Sequence, residues 1–151
     1  MIGFHKLVST VFGIGYMGKG GGTAAAAVCC FAWWLFAGDL HDHIRPAAIT
    51  LLIVALGIWS AGAVEGIWGK DNQRIVIDEW AGMCVALLWI PLFPRYILPA
   101  FLLFRFFDIV KPLFIKKLEQ LPGGWGVMFD DLLAGLYTNL LLQLVVATNF
   151  F

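Results

Sequence analysis

Three stretches of this chain run without a charged residue for about the length of a membrane crossing. Gly20 to Gly38 and Pro46 to Val64 have 19 residues each, and Leu132 to Phe151 has 20. An α-helix rises about 1.5 Å per residue, so about 20 residues cross the ~30 Å hydrocarbon of a bilayer. Two further apolar runs are shorter, Trp80 to Pro94 with 15 residues and Tyr96 to Phe104 with nine. Pro91, Pro94 and Arg95 lie between them, which predicts a helical hairpin turning at or before the far interface. One such run alone could be the core helix of a soluble domain. Five of them in 151 residues, with 61% hydrophobic and 13% charged side chains, leave too little polar surface for that. The expectation is an all-α fold: a polytopic membrane helical bundle of four to five hydrophobic helices, built as a single domain over 1–151.

The N-terminus does not read as a cleaved signal peptide, because Gly13, Gly15, Gly18 and Gly20 to Gly22 interrupt the apolar stretch after Lys6. Leu7, Val8, Val11 and Phe12 instead mark one face of a short amphipathic helix, predicted to lie at the interface. Cys29, Cys30 and Cys84 sit in apolar surroundings with no CxxC or Cys/His spacing, so they read as packing residues. Ten basic and ten acidic side chains cancel, which gives no field for nucleic acid. The sequence leaves the oligomeric state open.

A five-segment topology with the N-terminus inside puts Lys6, Lys19, Lys70, Arg74, Arg105, Lys111, Lys116 and Lys117 on one side and Arg45 and Arg95 on the other. That bias predicts that the first side is cytoplasmic. Glu65, Asp71, Asp78, Glu79, Asp108, Glu119, Asp130 and Asp131 fall on the same side, which the positive-inside rule does not require. Asp39, His41, Asp42 and His43 lie opposite and read as a solvated loop.

Asp78-Glu79 opens the run Trp80 to Ile90, and Asp130-Asp131 opens the run from Leu132. Each pair is predicted in the first turn of a helix, where exposed N–H groups favour carboxylates by ~0.3–1 kcal/mol. Capping explains one acid of each pair but not two. Adjacent carboxylates resist joint ionisation unless a cation compensates them, and magnesium suits a few carboxylates plus phosphate and water. Gly82, Ala134 and Gly135, a turn further on, would let the two helices approach closely. In Phe104-Arg105-Phe106-Phe107-Asp108-Ile109-Val110-Lys111-Pro112, the spacing sets Arg105, Asp108 and Lys111 along one helix face before Pro112 stops the helix. They read either as a snorkelling ion-paired row or as a phosphate grip in which Asp108 tunes the cations or reaches a metal. Gly13 to Thr23 carries six glycines and Lys19, a backbone able to wrap an anion, with Thr23 placed to cap the next helix. It is not a P-loop, since Lys19 is followed by Gly20.

Four blocks in order, GYMGKGGGT, KDNQRIVIDEWAG with Glu65 before it, FRFFDIVKP and GGWGVMFDDLLAG, resemble the phosphatidylglycerophosphatase A family from about Gly13 to Leu144. The first block departs from the family's usual GxGYxPxAPGT. Gly18 stands where Pro is expected and Gly20-Gly21 replaces Ala-Pro, which leaves the loop's path open.

The resemblance implies a magnesium-dependent bacterial phosphatase that makes phosphatidylglycerol from its 3-phosphate precursor, an active site on the cytoplasmic face of the inner membrane, and a phospholipid substrate. Related members act on a soluble phosphomonoester, so the family alone does not fix the substrate. With the residue chemistry, it assigns Glu65, Glu79, Asp130 and Asp131 to the metal, and Lys19, Thr23, Arg105 and Lys111 to the phosphate. Asp78, Asp108 and Asp131 are the catalytic candidates. The attacking group is a metal-activated water or a carboxylate, and water is favoured because no Dx-Dx(T/V)-type motif is present. Trp68, Trp80 and Trp125 are expected as interfacial anchors, with Phe104, Phe106, Phe107 and Trp125 along the lipid's path. The competing class is a small ion carrier, which would want its carboxylates near mid-membrane.

Overall fold

The computed structural model describes residues 1–36, 43–148 and 150; His41, Asp39 and Asp42 lie outside them. The described chain is all-helical, with α1 (Ile2–Ser9), a 3-10 turn (Ile14–Met17), α2 (Gly21–Phe36), α3 (Ile44–Trp68), α4 (Ile77–Leu87), α5 (Pro94–Val110), α6 (Ile115–Leu118) and α7 (Gly124–Ala147). α3 has 25 residues and α7 has 24, long and apolar enough to cross a membrane. Among the described residues α2 has 16, α5 has 17 and α4 has 11, so two helices of spanning length are present where four to five hydrophobic membrane helices are expected. The hairpin is present: α4 ends at Leu87 and α5 begins with Pro94 at its first position.

α4 is the centre of the bundle, packed by α2, α3, α5 and α7. Its small residues Ala81, Gly82, Cys84 and Ala86 are buried, which lets the neighbours close on it. The tightest crossing is with α7. A Cβ on Gly135 would stand 2.2 Å from the Gly82 carbonyl oxygen, and one on Gly82 would stand 2.6 Å from that of Asp131. Phe104 of α5 fills the space beside Gly82 and is fully buried, a side chain whose truncation costs about 3–5 kcal/mol. α3 crosses α7 equally closely, since a Cβ on Gly124 would meet the Ile58 carbonyl oxygen at 2.1 Å. Cys29, Cys30 and Cys84 pack in the same core, with the Cys29 and Cys84 thiols 3.5 Å apart.

α4 stops inside the bundle, where its last carbonyls need donors. Asn139 of α7 supplies them, with Nδ2 donating to Ala86 O at 3.1 Å and Leu88 O at 2.8 Å. Gln143 adds a longer bond of 3.5 Å to Leu88 O. Both amides belong to the run that begins at Leu132. The outer surface is apolar: Phe31, Trp34, Leu51, Leu52, Leu98, Leu102, Leu140 and Leu144 are exposed.

Two local expectations change. α1 turns His5 and Ser9 inward, His5 Nδ1 sharing a 3.2 Å hydrogen bond with Ser60 Oγ, while Leu7 and Phe12 face out. Val11 and Phe12 have left-handed backbone and lie past the helix end, so the predicted apolar face is not one face. α7 starts at Gly124, so Asp130 and Asp131 lie near the end of its second turn and not at its N-terminus. The first-turn placement therefore fails for that pair and holds for Asp78 and Glu79 in α4, although Val76 is the N-cap there and neither acid makes a side-chain cap bond.

Candidate active site

At one end of the bundle the first turns of α2 and α4, the end of α5, the second turn of α7 and the 71–73 loop enclose a cavity of about 430 Å³. Of the residues expected to carry chemistry, Lys19 and Thr23 line it from the glycine-rich side, and Asp78 and Glu79 from α4. Arg105, Asp108 and Lys111 border it from the α5 side, Asp130 and Asp131 from α7. Glu65 is not brought in; it sits near the end of α3, its Oε2 3.6 Å from where a Cβ on Gly123 would be. Asp71, Asn72 and Gln73 also line the cavity, and sequence reasoning had counted only Asp71, as one more acid on that side.

Asp78, Glu79 and Asp131 each bring one carboxylate oxygen within 4.8 Å of the others. The close α4–α7 crossing sets this geometry, because Asp78 precedes Gly82 and Asp131 precedes Gly135 by four residues, one helical turn on the same face. Gly22 admits Glu79 from the other side, since a Cβ there would overlap Glu79 Oε1 at 2.0 Å. Asp78 Oδ1 and Glu79 Oε2 are buried without a hydrogen-bond partner among the described residues. Burial first, then the neighbouring Glu79 and Asp131 carboxylates, push the Asp78 carboxyl well above its ordinary range. An all-oxygen donor set with unpaired buried oxygens is what a hard divalent cation satisfies, so these residues fit magnesium.

Asp130 has a different role from its neighbour, because consecutive helical residues point about 100° apart. It takes a 2.8 Å hydrogen bond from Lys111 Nζ and a 3.0 Å bond from the Asp131 N–H. Glu119, which sequence reasoning did not assign to the site, also accepts from Lys111. Burial alone would lower the Lys111 pKa, but hydrogen bonds to Asp130 and Glu119 outweigh it and hold the ammonium above its ordinary value. Lys111 is no longer on the α5 face: it is the C-cap, left-handed at φ 49, and Pro112 follows. Arg105 does pair with Asp108 at i+3, as the spacing predicts, and its Nε is buried without a partner among the described residues.

Thr23 is the third residue of α2 and not its cap. The turn into α2 is made by Gly18 at φ 71 and Gly20 at φ 100. Proline is fixed near φ −65°, so the path this loop takes at position 18 requires the glycine found there. Lys19, between them, is exposed over the cavity and makes no ion pair among the described residues.

A sequence model of the phosphatidylglycerophosphatase A family matches residues 7–146. The chain belongs to that family. A family member is a phosphoric monoester hydrolase, and the cavity supplies what such an enzyme needs, carboxylates beside cations. The chain is 41% identical over 142 residues to a putative phosphatidylinositol-3-phosphatase of Bacteroides thetaiotaomicron, covering 90% of this chain and 89% of the relative. It is 46% identical over 91 residues to phosphatidylglycerophosphatase A of Haemophilus influenzae, covering 58% of this chain and 56% of that one. With the Escherichia coli phosphatidylglycerophosphatase A it shares 30% identity over 90 residues, 58% of this chain and 52% of the other. No solved structure matches the chain.

Proposed function

We propose that this phosphatidylglycerophosphatase A family member is a magnesium-dependent lipid phosphatase of the bacterial inner membrane. It hydrolyses the terminal phosphomonoester of phosphatidylglycerophosphate to phosphatidylglycerol and phosphate, a step of phospholipid biosynthesis. One observation carries the reading: a three-carboxylate cluster and three cations share a single cavity at the end of an apolar helical bundle. An ion carrier would want its carboxylates midway along the helices, and here they lie at one end.

Asp78, Glu79 and Asp131 would hold the metal. Bound magnesium supplies positive charge at the phosphoryl oxygens and makes water more acidic. Arg105 and Lys111 bind the remaining phosphate oxygens, each already oriented by a carboxylate, Asp108 for one and Asp130 with Glu119 for the other. Lys19 and the first-turn N–H groups of α2 close over the phosphate from the opposite wall. Water attacks in this reading, and Asp78, whose Oδ1 has no donor among the described residues, is placed to ligate or to take its proton. The basic residues Lys6, Lys19, Lys70, Arg74, Arg105 and Lys111 gather at the cavity end, with Lys6 and Arg74 both over the Trp68 ring, which supports a cytoplasmic site.

The 41% identical relative supports a second lipid, a phosphatidylinositol 3-phosphate, whose phosphomonoester would meet the same groups. Phosphate release from the two lipids in mixed micelles, and from glycerol 3-phosphate, with and without magnesium, separates the readings. The expected result is magnesium-dependent turnover of phosphatidylglycerophosphate well above the other two. Equal kcat/KM for glycerol 3-phosphate would overturn the lipid assignment.

A further inference from the structure

An apolar groove of about 390 Å³ lies between α2 and α5 on the outer surface of the bundle. α2 contributes Ala27, Phe31 and Trp34, and α5 contributes Ile97, Leu98 and Phe101. No charged residue lines it. What sets this groove apart from the rest of the apolar surface is its register with the cavity. Thr23 and Arg105 line the cavity. Ala27 lies four residues after Thr23, and Phe101 lies four residues before Arg105. Both helices leave the cavity together, so on each of them the groove begins on the same face, one turn or about 6 Å below the phosphate-binding side chain. It then runs on through Phe31 and Trp34 on one wall and Leu98 and Ile97 on the other. From Ala27 to Trp34 this is about 10 Å along the helix axis. The Phe31 and Trp34 rings, with centroids 6.0 Å apart, stiffen the α2 wall.

We infer that this groove seats an acyl chain of the lipid whose phosphate occupies the cavity, so that α2 and α5 grip both ends of one substrate. The inference rests on the lipid-phosphatase reading and deepens it. The path differs from the one the aromatic residues near the motifs suggest, because Phe104 is fully buried against Gly82 and Phe107 packs on Tyr137 at a centroid distance of 5.8 Å. A chain held in the groove fixes the depth and tilt of the headgroup, so its contribution appears in turnover as well as in affinity.

The test fills the groove. Ala27 is exposed, so Ala27→Phe places a ring in the groove without entering the core. Leu52→Phe on α3, also exposed and outside the groove, controls for a change of the lipid-facing surface. Each protein is assayed on dioleoyl and on dihexanoyl phosphatidylglycerophosphate at equal mole fraction in the same detergent micelle. Ala27→Phe should lower kcat/KM for the dioleoyl lipid about fivefold or more and leave the dihexanoyl value within about twofold, the scale of a misplaced reacting group. Leu98→Ala, which widens the groove, should move the same ratio in the same direction and covers the case in which the first variant does not fold. An unchanged ratio in both variants, or the same change of ratio in Leu52→Phe, overturns the groove while the lipid reading stands. Wild-type protein that turns over glycerol 3-phosphate as well as either lipid overturns the lipid reading itself, and the groove with it.

Discussion

Replacing Gly135 with alanine should disable the site without touching any residue that lines it. The added Cβ would lie 2.2 Å from the Gly82 carbonyl oxygen, whereas ordinary contact begins at 3.4 Å. Its other near neighbours are Gly82 backbone atoms, so no side chain can swing away, and α4 and α7 must part by roughly 1 Å. Overpacking of this kind costs about 1–3 kcal/mol. The larger effect is on position. Asp78 and Asp131 stand one turn from the two glycines on the same faces, so the separation passes directly into the carboxylate cluster. A misplacement of about 1 Å can cost ~10²-fold in rate. The assay is phosphate release in mixed micelles over a magnesium titration, with thermal unfolding in detergent alongside. Gly66→Ala is the control, because a Cβ there has open space, and a helical Gly→Ala change is neutral or stabilising by about 0.5–1 kcal/mol. Wild-type turnover and magnesium dependence in Gly135→Ala would refute the reasoning that the helix crossing builds the site.

Asp131→Asn removes one of the three clustered carboxylates and should weaken magnesium binding and cut turnover by ~10²-fold or more, read from turnover at limiting and saturating magnesium. Lys111→Met should lose ~10²-fold in kcat/KM and lower the unfolding midpoint, since Asp130 and Glu119 are left facing each other without a cation; Lys111→Arg should recover part of both. Asn72→Cys, in the loop lining the cavity, should react with an impermeant maleimide in inverted vesicles and not in intact cells; labelling from outside only would reverse the orientation.

The helices and the acidic motifs were legible because their signals are local: charge-free length, Pro91 and Pro94 around the start of α5, and paired acids at the start of α4. What stayed hidden depends on contacts far along the chain. Gly123, Gly124 and Gly126 look like a loop by propensity, yet α7 begins among them because Gly124 must pass within contact of the Ile58 carbonyl. Asp130 and Asp131 look equivalent in sequence, but only the partners supplied by Lys111 and Gly82 reveal that one braces a cation and the other joins the carboxylate cluster. The inward face of α1 is set by Ser60, 55 residues from His5, and no local period announces it. Glu65 stands beside the acidic motifs in sequence, but it lies near the end of α3 next to Gly123 and outside the cavity lining.

The end of α4 has a consequence for traffic. The Ala86 and Leu88 carbonyls accept from the side-chain amides of Asn139 and Gln143, so the bundle satisfies them from within at that depth. Under the proposed reaction, the headgroup and the departing inorganic phosphate would both use the end of the bundle where the carboxylates and cations lie. In that reading the liberated phosphate would return to the compartment from which the headgroup was presented, and the reaction would change the lipid without moving an ion across the membrane.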